Sequence, residues 1–475
     1  MPKTASPPEA RIQGAITLDD IAECQKAFER EPRFRQAMNA VCNTTVTKVA
    51  QNRRKVVEID HTFSHHLEES KATSQMSSGR CWMFAALNVL RAQARKNMNL
   101  GDDFELSQNY VTFWDKFEKA NYFLESILQT LDEPDGSRIT DWLLTGPIQD
   151  GGQWHMFINL VKKYGIVPKT AMPETESSSA TNQMGNQITQ MLRDYACRLR
   201  TASRNNTGGT SGKPEVSNGQ SITANGKRLQ QMKDSFLAEI YRMLCIHLGE
   251  PPKDFRWQWR DKDKNFHRDG RMTPKEFYDK HVAVNLDEYV CLIHDPRPKH
   301  SFNTTYTVRF LGNVVGGEVI TYLNVEMPIL KKAAVEQIKA GDPVWFGNDV
   351  GKFLDRDLGV MDLEMFDFEL VYGAKPKMSK AERLIYGHSQ MTHAMVFTGV
   401  DLGENDEPIK WRVENSWGEK VGDKGFMIMT DAWFDEFTYE VVVHRRFVPA
   451  KSLKALDKDP IALDPWDPMG SLARS

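Results

Sequence analysis

The chain has 475 residues, 40% of them hydrophobic and 26% charged, with a net charge of −3. That length supports two or three packed domains. The near-neutral balance excludes a chain-wide pull towards nucleic acid or an anionic membrane, and no apolar run of about eighteen residues is present to span a bilayer. Six cysteines, at 24, 42, 81, 197, 245 and 291, are scattered with no CxxC pair, which suits reduced thiols in a cytoplasmic enzyme better than a disulfide framework. The opening MPKTASPPEARIQGAITLDDIAE has no apolar signal core, and its acidic residues argue against a mitochondrial address, so the cytoplasm is the expected compartment.

In chain order, Thr17-Leu-Asp-Asp offers a helix cap, and Ile21, Cys24, Phe28 and Phe34 recur at roughly helical spacing, predicting a helical segment within residues 1–66. His61, His65 and His66 cluster, but no cysteine or carboxylate at zinc spacing accompanies them, so neither a metal nor a cofactor is expected. The stretch Gln75-Met-Ser-Ser-Gly-Arg-Cys81-Trp82 follows. Ser77, Ser78 and Gly79 are cap and turn residues set before a strongly apolar helical run, which places Cys81 on the first turn of a buried helix. A helix N-terminus favours thiolate, so a lowered thiol pKa is expected there. Ser107 caps a second, aromatic helix. Then Asp150-Gly151-Gly152-Gln153-Trp154 supplies a double glycine, a backbone that an extended substrate can approach closely.

Residues 201–227 hold no aromatic residue and almost no large aliphatic one, which predicts a disordered insertion. Helical character returns from Arg228. In Phe255-Arg-Trp-Gln-Trp-Arg-Asp-Lys-Asp-Lys the acids alternate with the bases, predicting a solvated hairpin rather than a nucleic-acid strip. From about 318 the period becomes strand-like. Strands are expected at 318–325, 342–350, 393–400, 411–418, 425–430 and 438–443, with a helix at 328–340. His393 opens one of these strands, and Asn415 lies 22 residues later in Asn-Ser-Trp417-Gly. Beyond 450, two prolines with Trp466 and Met469 predict an extended arm anchored by those two side chains.

The spacing of Gln75 to Cys81-Trp82, together with His393 and Asn415-Ser-Trp417-Gly, resembles the papain-type cysteine peptidases. The resemblance implies roles. Cys81 is the nucleophile, His393 its acid–base partner, and Asn415 the amide that accepts from Nδ1–H of His393. Gln75 and the Cys81 N–H form an oxyanion hole, Trp417 shields the histidine, and Gly151 and Gly152 bind substrate. Cys81 and His393 stand 312 apart, against roughly 130–150 in papain and its near relatives, so a segment of domain size is inserted. With PVWFGNDVGK, AERLIYGHSQMTHAM and the C-terminal PWDPMGSLA added, the chain resembles the bleomycin hydrolase family, the cytosolic branch of papain-like peptidases.

That resemblance implies an α+β, two-lobed papain-like core with an inserted helical domain and an N-terminal hook. Together with the composition of 201–227, the expected divisions are a hook at 1–66, a helical lobe with Cys81 at 67–200, the insertion at 201–227, and a mainly helical domain at 228–317. A β-rich lobe with His393 and Asn415 follows at 318–450, then an arm at 451–475 that reaches the cleft. It further implies a homohexameric aminopeptidase acting on peptides, on small amino-acid amides such as bleomycin, and on homocysteine thiolactone, with no membrane partner. DNA or RNA is a further partner that the resemblance admits. Because Arg474 precedes the final residue, either trimming of Arg474-Ser475 or a displaced arm is expected. An inactive nucleic-acid binder and an assembly scaffold are the competing readings, and the intact Gln75, Cys81, His393 and Asn415 count against both.

Overall fold

The computed structural model describes residues 14–68, 70–205, 215–217, 220–222 and 224–474. Contact density divides the chain into two compact units, one of Met1–Ile59 with Leu363–Lys377 and one of Asp60–Asp362 with Met378–Ser475.

The described part of the smaller unit is helical. Leu18–Arg30 begins at a capping box in which the Thr17 hydroxyl accepts from the Asp20 N–H at 3.2 Å while Asp20 accepts from the Thr17 N–H at 2.8 Å. Pro32–Val41 follows, with proline in its first turn where a missing N–H costs nothing. Short helices at Val46–Ala50, Arg53–Val57 and Phe368–Tyr372 complete the unit.

In the larger unit the helices Cys81–Met98, Gln108–Gln129, Trp154–Tyr164, Asn182–Arg204 and Ala224–Leu248 pack on one another. Ser107 caps the second of these, its hydroxyl accepting from the Tyr110 N–H at 3.0 Å. The Cys81 helix buries nearly every side, from Trp82 through Leu90, and lies against the strand His393–Leu402. At that seam the Trp345 indole N–H donates to the Trp82 carbonyl at 3.0 Å.

The second layer is one sheet of twelve strands. At its centre His393–Leu402 pairs antiparallel with Pro408–Glu414 on one side and Val344–Asn348 on the other, and Thr438–His444 pairs antiparallel with Val344–Asn348. Beyond it come Tyr289–Ile293, Tyr322–Asn324, Thr304–Val308 and Ile461–Leu463.

Three expectations change, and a fourth falls partly outside the described residues. Residues 228–317 are not mainly helical: after the helix ending at Leu248 come the hairpin Phe255–Arg260 with Phe266–Met272 and two strands of the central sheet. The strand expected at 318–325 shrinks to Tyr322–Asn324. The disorder expected for 201–227 falls in part on residues 206–214, 218–219 and 223, which lie outside the described residues. The flanks of this insertion belong to helices, up to Arg204 and from Ala224, and Glu215–Ser217 pairs with Gln220–Ile222. Finally, the terminal arm is not extended but forms a 3-10 helix over Pro468–Arg474.

Candidate active site

Cys81 is the first residue of its helix, and the cap position is Arg80, whose side chain makes no capping bond. The Ser77-Ser78-Gly79 turn is held from elsewhere. Asp150 accepts from the Gly79 N–H at 2.9 Å, from Lys116 Nζ at 2.6 Å and from the Thr181 hydroxyl at close range, while its backbone carbonyl accepts from Trp82 Nε1 at 2.7 Å. Burial works to raise the Asp150 carboxyl, but Lys116, Thr181 and Gly79 outweigh it and hold it well below the usual range. Asp150 thus ties the turn before Cys81, the Trp82 ring and the Gly151-Gly152 segment into one block. Sequence reasoning passed it over, although it opens the Asp-Gly-Gly motif.

Gly152 has a packing reason of its own. A Cβ there would come within 2.6 Å of the Trp82 indole, so the bare backbone is required before any ligand is considered. The Gly151 carbonyl accepts from Lys119 Nζ at 2.6 Å.

His393 and Asn415 come together across neighbouring strands. Asn415 Oδ1 lies 2.9 Å from Nε2 of His393, not Nδ1 as expected. The same oxygen accepts from the Ser416 N–H at 2.8 Å, which fixes the amide orientation and makes His393 Nε2 the proton-bearing nitrogen. Nδ1 is therefore left with its lone pair. The Trp417 ring sits over the imidazole with centroids 5.1 Å apart at 37°, and the Arg356 guanidinium lies 4.3 Å from the Trp417 ring centre.

Gln75 is clamped from both ends of its amide. Oε1 accepts from the Ser416 hydroxyl at 2.6 Å and Nε2 donates to the Ser78 carbonyl, while its backbone N–H donates to the Ser416 carbonyl at 2.8 Å. Ser416 therefore positions both Gln75 and Asn415, a role that no spacing rule in the sequence signals. Glu414, next to Asn415, is tied to the Cys81 helix through Arg91 and through Asn88 Nδ2 at 3.0 Å.

The thiol does not show the lowered pKa expected from its helical position. Burial pushes Cys81 up to about 11, despite N–H groups of Ala394 and Trp82 aimed at the sulfur, and burial pushes His393 down to about 4. Each group alone prefers neutrality, so a thiolate–imidazolium pair here rests on mutual attraction and the helix N-terminus.

The terminal helix approaches this region. Leu472 and Met469 are buried, the Ser471 hydroxyl donates to the Met391 carbonyl at 2.7 Å, and Arg474 stacks on Trp142 at 3.9 Å. A depression beside the nucleophile turn is lined by Gly79, Gln149, Asp150, Thr181 and Arg474. Trp466 is held by Arg138, whose guanidinium lies 3.6 Å from the ring centre.

A helical layer with a cysteine at a helix start, set against a sheet that carries histidine and asparagine, defines a papain-like cysteine peptidase. The Peptidase C1-like family profile matches residues 15–470, and the chain belongs to that family. It is 44% identical to aminopeptidase C of Listeria innocua over 458 residues, 96% of this chain and 99% of that protein. To mouse bleomycin hydrolase it is 43% identical over 467 residues, again 96% and 99%. The crystal structure of PepW from Lactobacillus rhamnosis superposes with a TM-score of 0.91 at 43% identity, covering 97% of this chain and 99% of that one. The chain is accordingly a cysteine-type aminopeptidase, a hydrolase of the branch that holds aminopeptidase C and bleomycin hydrolase. Among the described residues no helix is long and apolar enough to cross a membrane.

Proposed function

We propose that Cys81 and His393 cleave the first residue from peptides and the amide bond of small amino-acid derivatives, with bleomycin-like amides and homocysteine thiolactone within reach of the same chemistry. The observation that carries this reading is the Asn415 Oδ1 contact to His393 Nε2 at 2.9 Å, which leaves Nδ1 to take the thiol proton. The thiolate then attacks the substrate carbonyl, and the oxyanion that forms is met by the Cys81 N–H and the Gln75 amide. The imidazolium returns its proton to the leaving amine, giving an acyl-enzyme. A water then attacks, its proton passing to His393, and the acid leaves as Cys81 is regenerated. In a thiolactone the ring sulfur leaves in place of the amine.

Turnover of a fluorogenic amino-acid amide tests the reading, with loss in Cys81→Ala expected and undiminished turnover overturning it. Iodoacetamide should alkylate Cys81 faster than the exposed Cys24, Cys42 and Cys197. In His393→Ala that advantage should vanish near neutral pH, because burial alone holds the thiol at about 11. Equal labelling of Cys81 with and without His393 would show that the histidine does not activate it.

A further inference from the structure

In the chemistry proposed for Cys81 and His393, the substrate lies across the site in two halves. Its acyl half bonds to Cys81 on the helical side, where Asp150 ties the Gly151-Gly152 segment to the turn before the thiol. Its leaving amine takes a proton from His393, so that half lies on the strand side, towards the Trp417 ring that sits over the imidazole. The rim beyond Trp417 is therefore the surface that the leaving residue meets.

Arg356 follows the short strand Leu354–Asp355, is exposed, and holds its guanidinium 4.3 Å from the Trp417 ring centre. It is paired with no carboxylate among the described residues, although Asp355 and Asp357 flank it; Asp355 instead accepts from the Leu358 N–H at 3.1 Å. Stacking on an indole steadies the planar cation and leaves its edge of N–H donors open, and that edge matches the two oxygens of a carboxylate. Burial lowers the His393 pKa, and the Arg356 charge works in the same direction, so the cation lies within electrostatic reach of the reacting imidazole. Met76 forms another part of the rim. Its φ of 53° is in the left-handed region that methionine rarely adopts, and its side chain is 66% exposed. Ser74, which pairs with Trp417, donates its hydroxyl to Met76 Sδ at 3.3 Å, so thioether and indole border one apolar strip. The strip ends at a guanidinium with no counter-ion among the described residues.

The dimensions select the length of the leaving group. The imidazole and indole centres are 5.1 Å apart and the guanidinium lies 4.3 Å from the indole, two steps that bound its separation from the imidazole. A hydrogen bond from His393, one residue, and a hydrogen bond to a guanidinium together span roughly 9 Å at full extension. A second residue adds about 3.5 Å and carries its carboxylate past the cation. We propose that Arg356 receives the α-carboxylate of a single leaving residue, which makes dipeptides with a free C-terminus the favoured peptide substrates. This deepens the aminopeptidase reading and rests on it.

Arg356 is exposed, so Arg356→Gln removes the charge without threatening the fold. The measurement is kcat/KM for leucine release from Leu-Phe and from Leu-Phe amide, followed by chromatography at early times. Wild-type enzyme should favour the free acid, and Arg356→Gln should reduce the acid-to-amide ratio by about fivefold, the worth of one solvent-facing ion pair. Taking the ratio cancels any effect of the substitution on His393, which both peptides share. Arg356→Lys keeps the charge but not the fork and should retain part of the preference, and added salt should shrink the preference in wild-type enzyme but not in Arg356→Gln. A ratio that Arg356→Gln leaves unchanged overturns the proposal, including the case in which both rates fall together because Arg356 merely supports Trp417. The acid and amide of Leu-Phe-Phe should differ little, and an advantage equal to that of Leu-Phe would overturn the restriction to one leaving residue. Should wild-type enzyme release leucine from neither dipeptide, the aminopeptidase reading fails, and calorimetry of both with Cys81→Ala judges the carboxylate site by itself. Tighter binding of the acid, lost on adding Arg356→Gln, sustains the site; equal binding of acid and amide overturns it.

Discussion

Gln75 and Asn415 look alike as amides but are held for different work, and Ser416 is what separates them. Its hydroxyl occupies Gln75 Oε1, so the Gln75 NH2 faces the other way, while its N–H occupies Asn415 Oδ1 beside His393. Gln75→Ala should lower kcat by on the order of 10²–10³ with little change in KM, the signature of a donor used mainly in the transition state. Ser416→Ala should lower kcat by about tenfold, the worth of one orienting hydrogen bond, since Gln75 remains but can turn. Steady-state kinetics on one amide substrate ranks the two, and a larger loss in Ser416→Ala would mean that its hydroxyl does more than hold Gln75. As candidates, Cys81, His393, Asn415 and Gln75 stood out in the sequence because each sits in a local motif, and the structure brings His393 to Asn415. Ser416 and the choice of Nε2 over Nδ1 were not, since both depend on contacts between residues far apart in the chain.

At the scale of elements, the helices and strands around the site followed from capping and periodicity, but two segments misled. Thr304–Val308 and Ile461–Leu463 pair in parallel although they lie about 150 residues apart, a register that no local pattern encodes. In the terminal arm the prolines suggested an extended chain. Pro468 instead occupies the first position of a 3-10 helix, where its missing N–H is harmless, and Met469, Leu472 and Ala473 bury one face at helical spacing. Trp466 and Met469 do act as anchors, the one under Arg138 and the other in the core. We propose that this helix closes one end of the cleft, as its contacts with Met391 and with the depression beside Gly79 suggest. Deleting residues 471–475 should then let an acetylated peptide be cut at a rate approaching that of its free counterpart. Digestion of the two peptides by wild-type and truncated enzyme decides it, and unchanged selectivity would rule out a gate.

At the scale of the molecule, the smaller unit carries an imbalance that a lone chain does not explain. Its first helix and the turn before it expose large apolar side chains, Ile16 and Leu18 at 81% and 83% and Ile21 and Phe28 each at more than 40%, and Met38 on the second helix is exposed to a similar degree. Single exposed apolar residues are ordinary, but a run of them along one amphipathic helix marks a surface built to be covered. Local propensity does not account for it, because the capping box at Thr17 would hold the helix equally well with polar residues at these positions. We propose that other copies of the chain cover this face in a homohexamer, the assembly expected from the sequence resemblance. Native mass spectrometry should then find a particle of six chains at micromolar concentration. Ile16→Asp combined with Leu18→Asp should reduce it to smaller species, since two buried apolar contacts per copy are replaced by charges that would have to be desolvated. Iodoacetamide labelling of Cys81 should persist in the dissociated protein, because Gln75, His393 and Asn415 all lie in the other compact unit. A wild-type particle of one chain would refute the assembly, and an unchanged hexamer in the double variant would move the interface away from this helix.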